Sequence, residues 1–194
     1  MLTLAEIAAG VSGAWRLMWG DPGGLWMLDR SREGFWRSFR VAIFLAPLSA
    51  LYLALTYTRF ASDMPLSTIV LVEALRYVID WTGFAVLLLE KCRRVGWERR
   101  YVGAVVALNW ANVPVTIIVV GLAAAGEVLP AIVDTAIGLA IMVAVVAWVA
   151  RILRHTLDCT WAAAVGLGIA NLWMSLLLTT LVHGILGLRV VPPV

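Results

Sequence analysis

With 194 residues, 62% of them apolar and only 14% charged, and a mean hydropathy of +0.93, the chain is far from a soluble domain, where roughly a quarter of residues carry charge. These values point to one integral membrane domain. The net charge of +3 and pI near 9.2 do not suggest a nucleic-acid partner, because no basic face with interleaved aromatics lies outside the membrane boundary.

Residues 3–19 read as an amphipathic helix. Thr3 and Glu6 form a T-x-x-E capping box, and Leu4, Ile7, Val11, Trp15 and Met18 follow a helical stripe. The segment is too short and too broken to span, so it is expected to lie in the membrane interface, with docking on the protein itself as the alternative. It does not read as a secretory signal, since Glu6 supplies the early charge and Arg16 and two tryptophans follow. Asp21-Pro22-Gly23-Gly24 ends the helix with turn chemistry. Trp15, Trp19, Trp26, Phe35, Trp36, Arg37 and Arg40 are the candidate interfacial anchor leading to the first span.

Five spanning helices are expected at about 38–58, 66–90, 101–122, 129–150 and 162–187, since several apolar runs approach the ~20 residues that cross a bilayer. Pro47 should kink the first mildly. The fold class is thus all-α: a polytopic membrane protein of five transmembrane helices (38–187), preceded by a cytoplasmic or interfacial N-terminal region (1–37) and followed by a short tail (188–194). All lysines and arginines except Arg59, Arg76 and Arg189 fall on the side of the N-terminus. By the positive-inside rule that places the N-terminus in the cytoplasm and the C-terminus in the periplasm of a bacterial inner membrane. Cys92 and Cys159 fall in expected cytoplasmic loops, where a structural disulfide is not anticipated.

Small residues at four-residue spacing mark close helix packing in lipid. Gly103/Ala107/Ala111, Ala136/Ala140/Ala144 and Ala162/Gly166/Ala170 therefore suggest a tight core of the third, fourth and fifth spans. Most tryptophans, Trp148 included, fall near the cytoplasmic boundary as an interfacial belt, whereas Trp81, Trp110 and Trp173 are mid-helix.

The second span carries Glu73, Arg76 and Asp80 at i, i+3 and i+7, so one helix face lets Arg76 reach both carboxylates. Counted at ~1.5 Å per residue, Asp80, Asn109, Asn112 and Asn171 reach similar depths, about 12–17 Å from the cytoplasmic ends of their helices. They could meet in one layer, with Glu73, Arg76 and Asp134 in a second. Each ionisable group at such depth costs ~2.5–3.5 kcal/mol even on the lenient insertion scale. The functional reading of this candidate polar cluster is a path for an ion, a proton or a small solute. The structural reading, preferred on sequence, is an ion triad with asparagines bonding helix to helix.

No cofactor is expected. His155, in an expected loop, and His183, near the opposite boundary, are too far apart to clamp one haem, and no CxxCH is present. Cysteine and histidine spacings suggest no metal site, and no pattern positions a nucleophile, so no enzymatic activity is expected.

The topology, with Asn109-Trp110 after a basic loop and Arg151-Ile152-Leu153-Arg154-His155 before a final Ala/Gly-rich helix, resembles the Yip1-like group of membrane proteins. The run Gly13–Leu17, Asp21–Gly24 and Gly34–Phe39 is similar to that of small inner-membrane proteins of proteobacteria. The resemblance implies membrane organisation rather than catalysis and supplies no catalytic residues. The expected function is accordingly a non-enzymatic scaffold or accessory subunit whose partners are membrane lipids and other membrane subunits or itself. The alternative is a small-solute or ion transporter or channel using the polar layer.

Overall fold

A computed structural model describes residues 2–191. The chain is 83% helical, and four stretches are long and apolar enough to cross a membrane: Arg32–Tyr57, Glu98–Gly126, Ala131–Leu157 and Trp161–Ile185. The helices are α1 (Leu4–Met18), α2 (Arg32–Ser38), α3 (Arg40–Tyr57), α4 (Leu66–Val95), α5 (Glu98–Gly126), α6 (Ala131–Leu157) and α7 (Trp161–Ile185), with a short 3-10 helix at Pro22–Met27. At 30 residues, α4 is ~45 Å long, but Glu73, Arg76 and Asp80 sit in its apolar stretch. An antiparallel pair, β1 (Phe60–Ala61) with β2 (Arg189–Val190), ties the α3–α4 turn to the end of the described chain.

The most deeply buried helix is α5, which packs against α1, α2, α3, α4 and α6, while α7 joins α6 to α4. Contacts of α4 with α3 run through long side chains. The Tyr57 hydroxyl of α3 donates to Glu73 Oε1 at 2.6 Å, and the Tyr77 hydroxyl of α4 donates to the Ala42 carbonyl at 2.7 Å. Two helices held apart by tyrosines leave space between them.

The first helix has the expected capping box, and it is docked on α5 and α6. Gly10, Gly13, Ala14, Leu17 and Met18 form its buried face. A Cβ at Gly10 would overlap the Trp110 ring, and one at Gly13 would come within 2.8 Å of the Gly24 carbonyl oxygen. Glycine at both sites allows the close approach. The Arg151 guanidinium of α6 donates to the Met18 carbonyl at 3.2 Å, closing the end of α1.

Several expectations need correction. The helix that holds the expected second span, α4, runs to Val95, where Gly96 (φ +76°) supplies the left-handed cap, so Cys92 is a buried helical residue rather than a loop residue. Likewise α6 extends through His155 to Leu157, its end held by the Arg100 guanidinium donating to the Leu157 carbonyl at 2.7 Å. Cys159 is buried in the short connection to α7, near Cys92 in one apolar cluster, and both thiols are free. On α6 and α7 the small-residue stripes face mostly outward, Ala144 alone packing against the core. Ala136, Ala140, Ala162, Gly166 and Ala170 are exposed. The α6–α7 seam instead uses Ala150, Ala164 and Gly168, where a Cβ on Gly168 would sit 3.0 Å from the Val146 carbonyl oxygen. The stripe on α5 is buried, but Ala107 and Ala111 share their cluster with Ala14 and Leu17 of α1. Trp148 is buried, edge-on to Trp19 at 6.4 Å, whereas mid-helix Trp173 is 60% exposed. Of the expected 188–194 tail, residues 192–194 lie outside the described residues.

Candidate functional site: a polar cavity among five helices

The i, i+3, i+7 spacing on α4 folds into an ion triad. Arg76 Nε donates to Glu73 Oε2 and Arg76 Nη1 to Asp80 Oδ2, each at 2.6 Å. The two carboxylates are not equivalent. Glu73 is 6% exposed and uses both oxygens, one for Arg76 and one for Tyr57. Asp80 uses only Oδ2; its Oδ1 is buried and accepts no hydrogen bond among the described residues. Leaving such an oxygen unmatched costs about 1–3 kcal/mol.

Asp80 and Arg76 line a cavity of about 330 Å³ bounded by α3, α4, α5, α6 and α7, at the small end of the roughly 300–1,000 Å³ range of ligand pockets. Asn109, Asn112 and Asn171 line it as well, so five of the seven candidate polar residues meet there. Glu73 stands behind Arg76 and does not line the cavity. Asp134 does not join Glu73 and Arg76 in a second layer. Its Oδ2 accepts from Arg59 Nη1 at 2.6 Å, Arg59 Nη2 also reaches Glu127 Oε1 at 3.1 Å, and the cluster sits beside Gly126, where a Cβ would collide with the Asp134 carboxylate. Asn109 is partly structural: buried, its Nδ2 donates to Ser38 Oγ at 2.9 Å, and that hydroxyl donates to the Phe35 carbonyl at 2.7 Å. This chain of bonds holds the α2–α3 junction against α5.

Sequence reasoning missed the hydroxyls. Ser49 and Tyr52 on α3, Thr116 on α5 and Ser175 on α7 line the same cavity. The signal was periodic: 49/52, 76/80, 109/112/116 and 171/175 are all i, i+3 or i, i+4 sets, one polar stripe on each of four helices. The lining offers acceptors, amide donors and one guanidinium. Among the described residues no group of three or more His, Cys, Asp or Glu could hold a metal.

The candidate anchor divides. Trp15, Trp19, Trp26 and Trp36 are all exposed, Trp26 the most at 85%, and Arg40 is free to face headgroups. Phe35 is instead a packing residue, 5.2 Å from both Trp36 and Phe39 and 5.9 Å from Tyr101. Arg37 is a clamp that pairs with Glu6 of α1 and, at 2.6 Å, with Asp29. The Thr3 amide and hydroxyl, with Arg37 beyond them, hold the Glu6 carboxyl below its usual range. The Ser31 hydroxyl and amide, again with Arg37, do the same for Asp29.

A helical bundle with four apolar stretches of membrane-crossing length defines a multi-pass membrane protein. No family model, curated protein or solved structure matches the chain, so the reading of the site rests on its own residues.

Proposed function

We propose that this is a non-enzymatic bacterial inner-membrane protein with five spanning helices, α4 being the fifth, its N-terminus cytoplasmic and its C-terminus periplasmic. Its function is to bind and pass a small polar solute or ion through the central cavity. The observation that carries this reading is Asp80 Oδ1, a buried carboxylate oxygen without a protein donor on the wall of a cavity whose other polar groups come from separate helices. An ion triad built only for stability would use Asp80 as fully as it uses Glu73. Helical spacing supports the fifth span: α4 is long enough, and its ionisable side chains pair with one another and with Tyr57 instead of facing lipid. Kinship with the Yip1-like group is proposed on the five-helix order with the Asn109-Trp110 and Arg151–His155 segments, and adds no site residues.

A second reading is supported by the exposed tryptophans. Trp19, Trp26 and Trp36, with Arg30, Arg32 and Arg40, form a rim that suits lipid headgroups or another membrane subunit. The full chain would then act as a scaffold or accessory subunit, in contact with itself or other subunits. Mild native extraction followed by mass spectrometry separates the two readings. The cavity reading expects a small molecule or ion retained by the wild type and lost in Asp80→Asn and Asn171→Leu. A stoichiometric protein complex with no retained solute, unaffected by both substitutions, would overturn it in favour of the rim.

A further inference from the structure

A second cavity, of about 190 Å³, lies further along the same seam. Its lining follows three of the same helices: Thr56 on α3 with Arg59 in the turn just beyond it, Glu127 beyond the end of α5, Asp134 and Ile141 on α6. The central cavity continues those faces with Ser49 on α3, Thr116 on α5 and Val145 on α6. Tyr52 and Val119 line both cavities. Tyr52 is three residues from Ser49 and four from Thr56, so one face of α3 runs past the central cavity, the partition and the outer cavity in turn. The two spaces are thus stacked end to end, with Tyr52 and Val119 as their common wall.

The charges along the seam repeat one pattern. At its outer end Arg59 is held between Glu127 and Asp134; at its inner end Arg76 is held between Glu73 and Asp80. With the carboxylates ionised, each cluster carries one negative charge in excess. In a seam walled by apolar side chains such a field is focused, favouring cations over anions of equal size. Asp80 Oδ1 is an acceptor at the inner end, suited to a ligand that brings both a positive charge and a hydrogen-bond donor.

We propose that the two cavities form one access route for a small cation of the alkylammonium type. It enters from the arginine-poor face at the Arg59–Glu127–Asp134 cluster, passes a constriction at Tyr52 and Val119, and ends on Asp80. The proposal rests on the cavity reading above and adds its direction, its gate and the sign of its ligand's charge.

Cysteine accessibility tests it without knowledge of the natural ligand. Ser49→Cys and Thr56→Cys place near-isosteric thiols in the inner and outer cavity, and wild type, with only buried Cys92 and Cys159, sets the background. Right-side-out and inverted membrane vesicles are treated with impermeant methanethiosulfonates, one bearing trimethylammonium and one sulfonate, and labelling is read by mass. The expected result is that Thr56→Cys reacts from the arginine-poor face at least tenfold faster with the cationic reagent, each rate taken relative to that reagent's rate with a free thiol in solution. Ser49→Cys should react from that face too, its rate rising at least tenfold when Tyr52→Ala is added, and methylammonium should protect it. Equal rates for the two reagents would overturn the charge selectivity. Reaction of Ser49→Cys only from the arginine-rich face, or from neither face with Tyr52→Ala present, would overturn the route. Both failures leave the retained-solute measurement standing, and loss of that result with labelling as expected would remove the binding reading instead.

Discussion

Replacing Arg76 by Met gives the sharpest test of how the triad is built. The side chain keeps most of its volume, but Glu73 and Asp80 lose the charge that both face. Removing one partner from a buried ion pair costs about 3–5 kcal/mol, so for a chain of this size the melting temperature should fall by roughly 6–20 °C. The two carboxylates should respond differently. Glu73→Gln weakens bonds to both Arg76 and Tyr57, and losing a charge-assisted bond costs about 1.5–3 kcal/mol. Asp80→Asn weakens one bond to Arg76 but also removes the buried charge of a carboxylate whose Oδ1 has no protein donor, a gain of similar size, about 1–3 kcal/mol. Its net effect should be within about 1 kcal/mol of zero. The order of damage in detergent-solubilised protein, by thermal unfolding, is therefore Arg76→Met, then Glu73→Gln, then Asp80→Asn. Combining all three substitutions should recover much of the loss of Arg76→Met alone. If Asp80→Asn proved as damaging as Arg76→Met, the inequality of the two carboxylates would be refuted.

Three further outcomes follow from the packing and the N-terminal clamp. Gly10→Ala should force Trp110 aside and cost about 1–3 kcal/mol, seen as faster hydrogen exchange across α1 while α7 is unchanged; equal exchange in α1 would refute its docking. Gly168→Val should destabilise the α6–α7 seam by a similar ~1–3 kcal/mol, whereas Gly166→Val, which meets nothing within 4 Å, should unfold near the wild-type temperature apart from its change in helix propensity. The clamp of Arg37 on Glu6 and Asp29 should respond to acid. Both carboxyls have folded values depressed below their unfolded ones, so their stabilisation is fully present above the unfolded range, about pH 4, and disappears as pH falls through the folded values. Limited proteolysis of the segment before α3 should stay slow at pH 6 and rise only below about pH 4; release between pH 7 and 6, where neither carboxyl titrates, would contradict the clamp.

Much of this site was legible because helical spacing is a local property. The triad follows from i, i+3 and i+7 on one helix, and the shared depth of Asp80, Asn109, Asn112 and Asn171 from counting along each helix. Which face of a helix meets a neighbour is a different matter. On α7 both 162/166/170 and 164/168 are small-residue stripes, and only the position of Val146 on α6 decides that Gly168 is the contact. The same limit misplaced Asp134: its depth was readable, but its partner Arg59 comes from a turn 75 residues away in the chain. The basic runs around Cys92 and His155 mark a membrane boundary and so suggest loops, but a boundary need not end a helix. Phe35 and Arg37 looked like anchors for the same reason; the aromatic and carboxylate partners that draw them inward lie on α5, α1 and the turn before α2. The hydroxyls of Ser49, Thr116 and Ser175 are each ordinary in a membrane helix, and only as stripes facing one space do they define a lining.

The central claim, that the cavity around Asp80 carries the function, is tested most directly by flux through the reconstituted full chain. Charge movement would be recorded on solid-supported membranes after concentration jumps of methylammonium, sodium or potassium ions. The account predicts a response to at least one of them that falls at least tenfold in Asp80→Asn, a variant expected to stay folded. A wild-type response unchanged in that variant would contradict it.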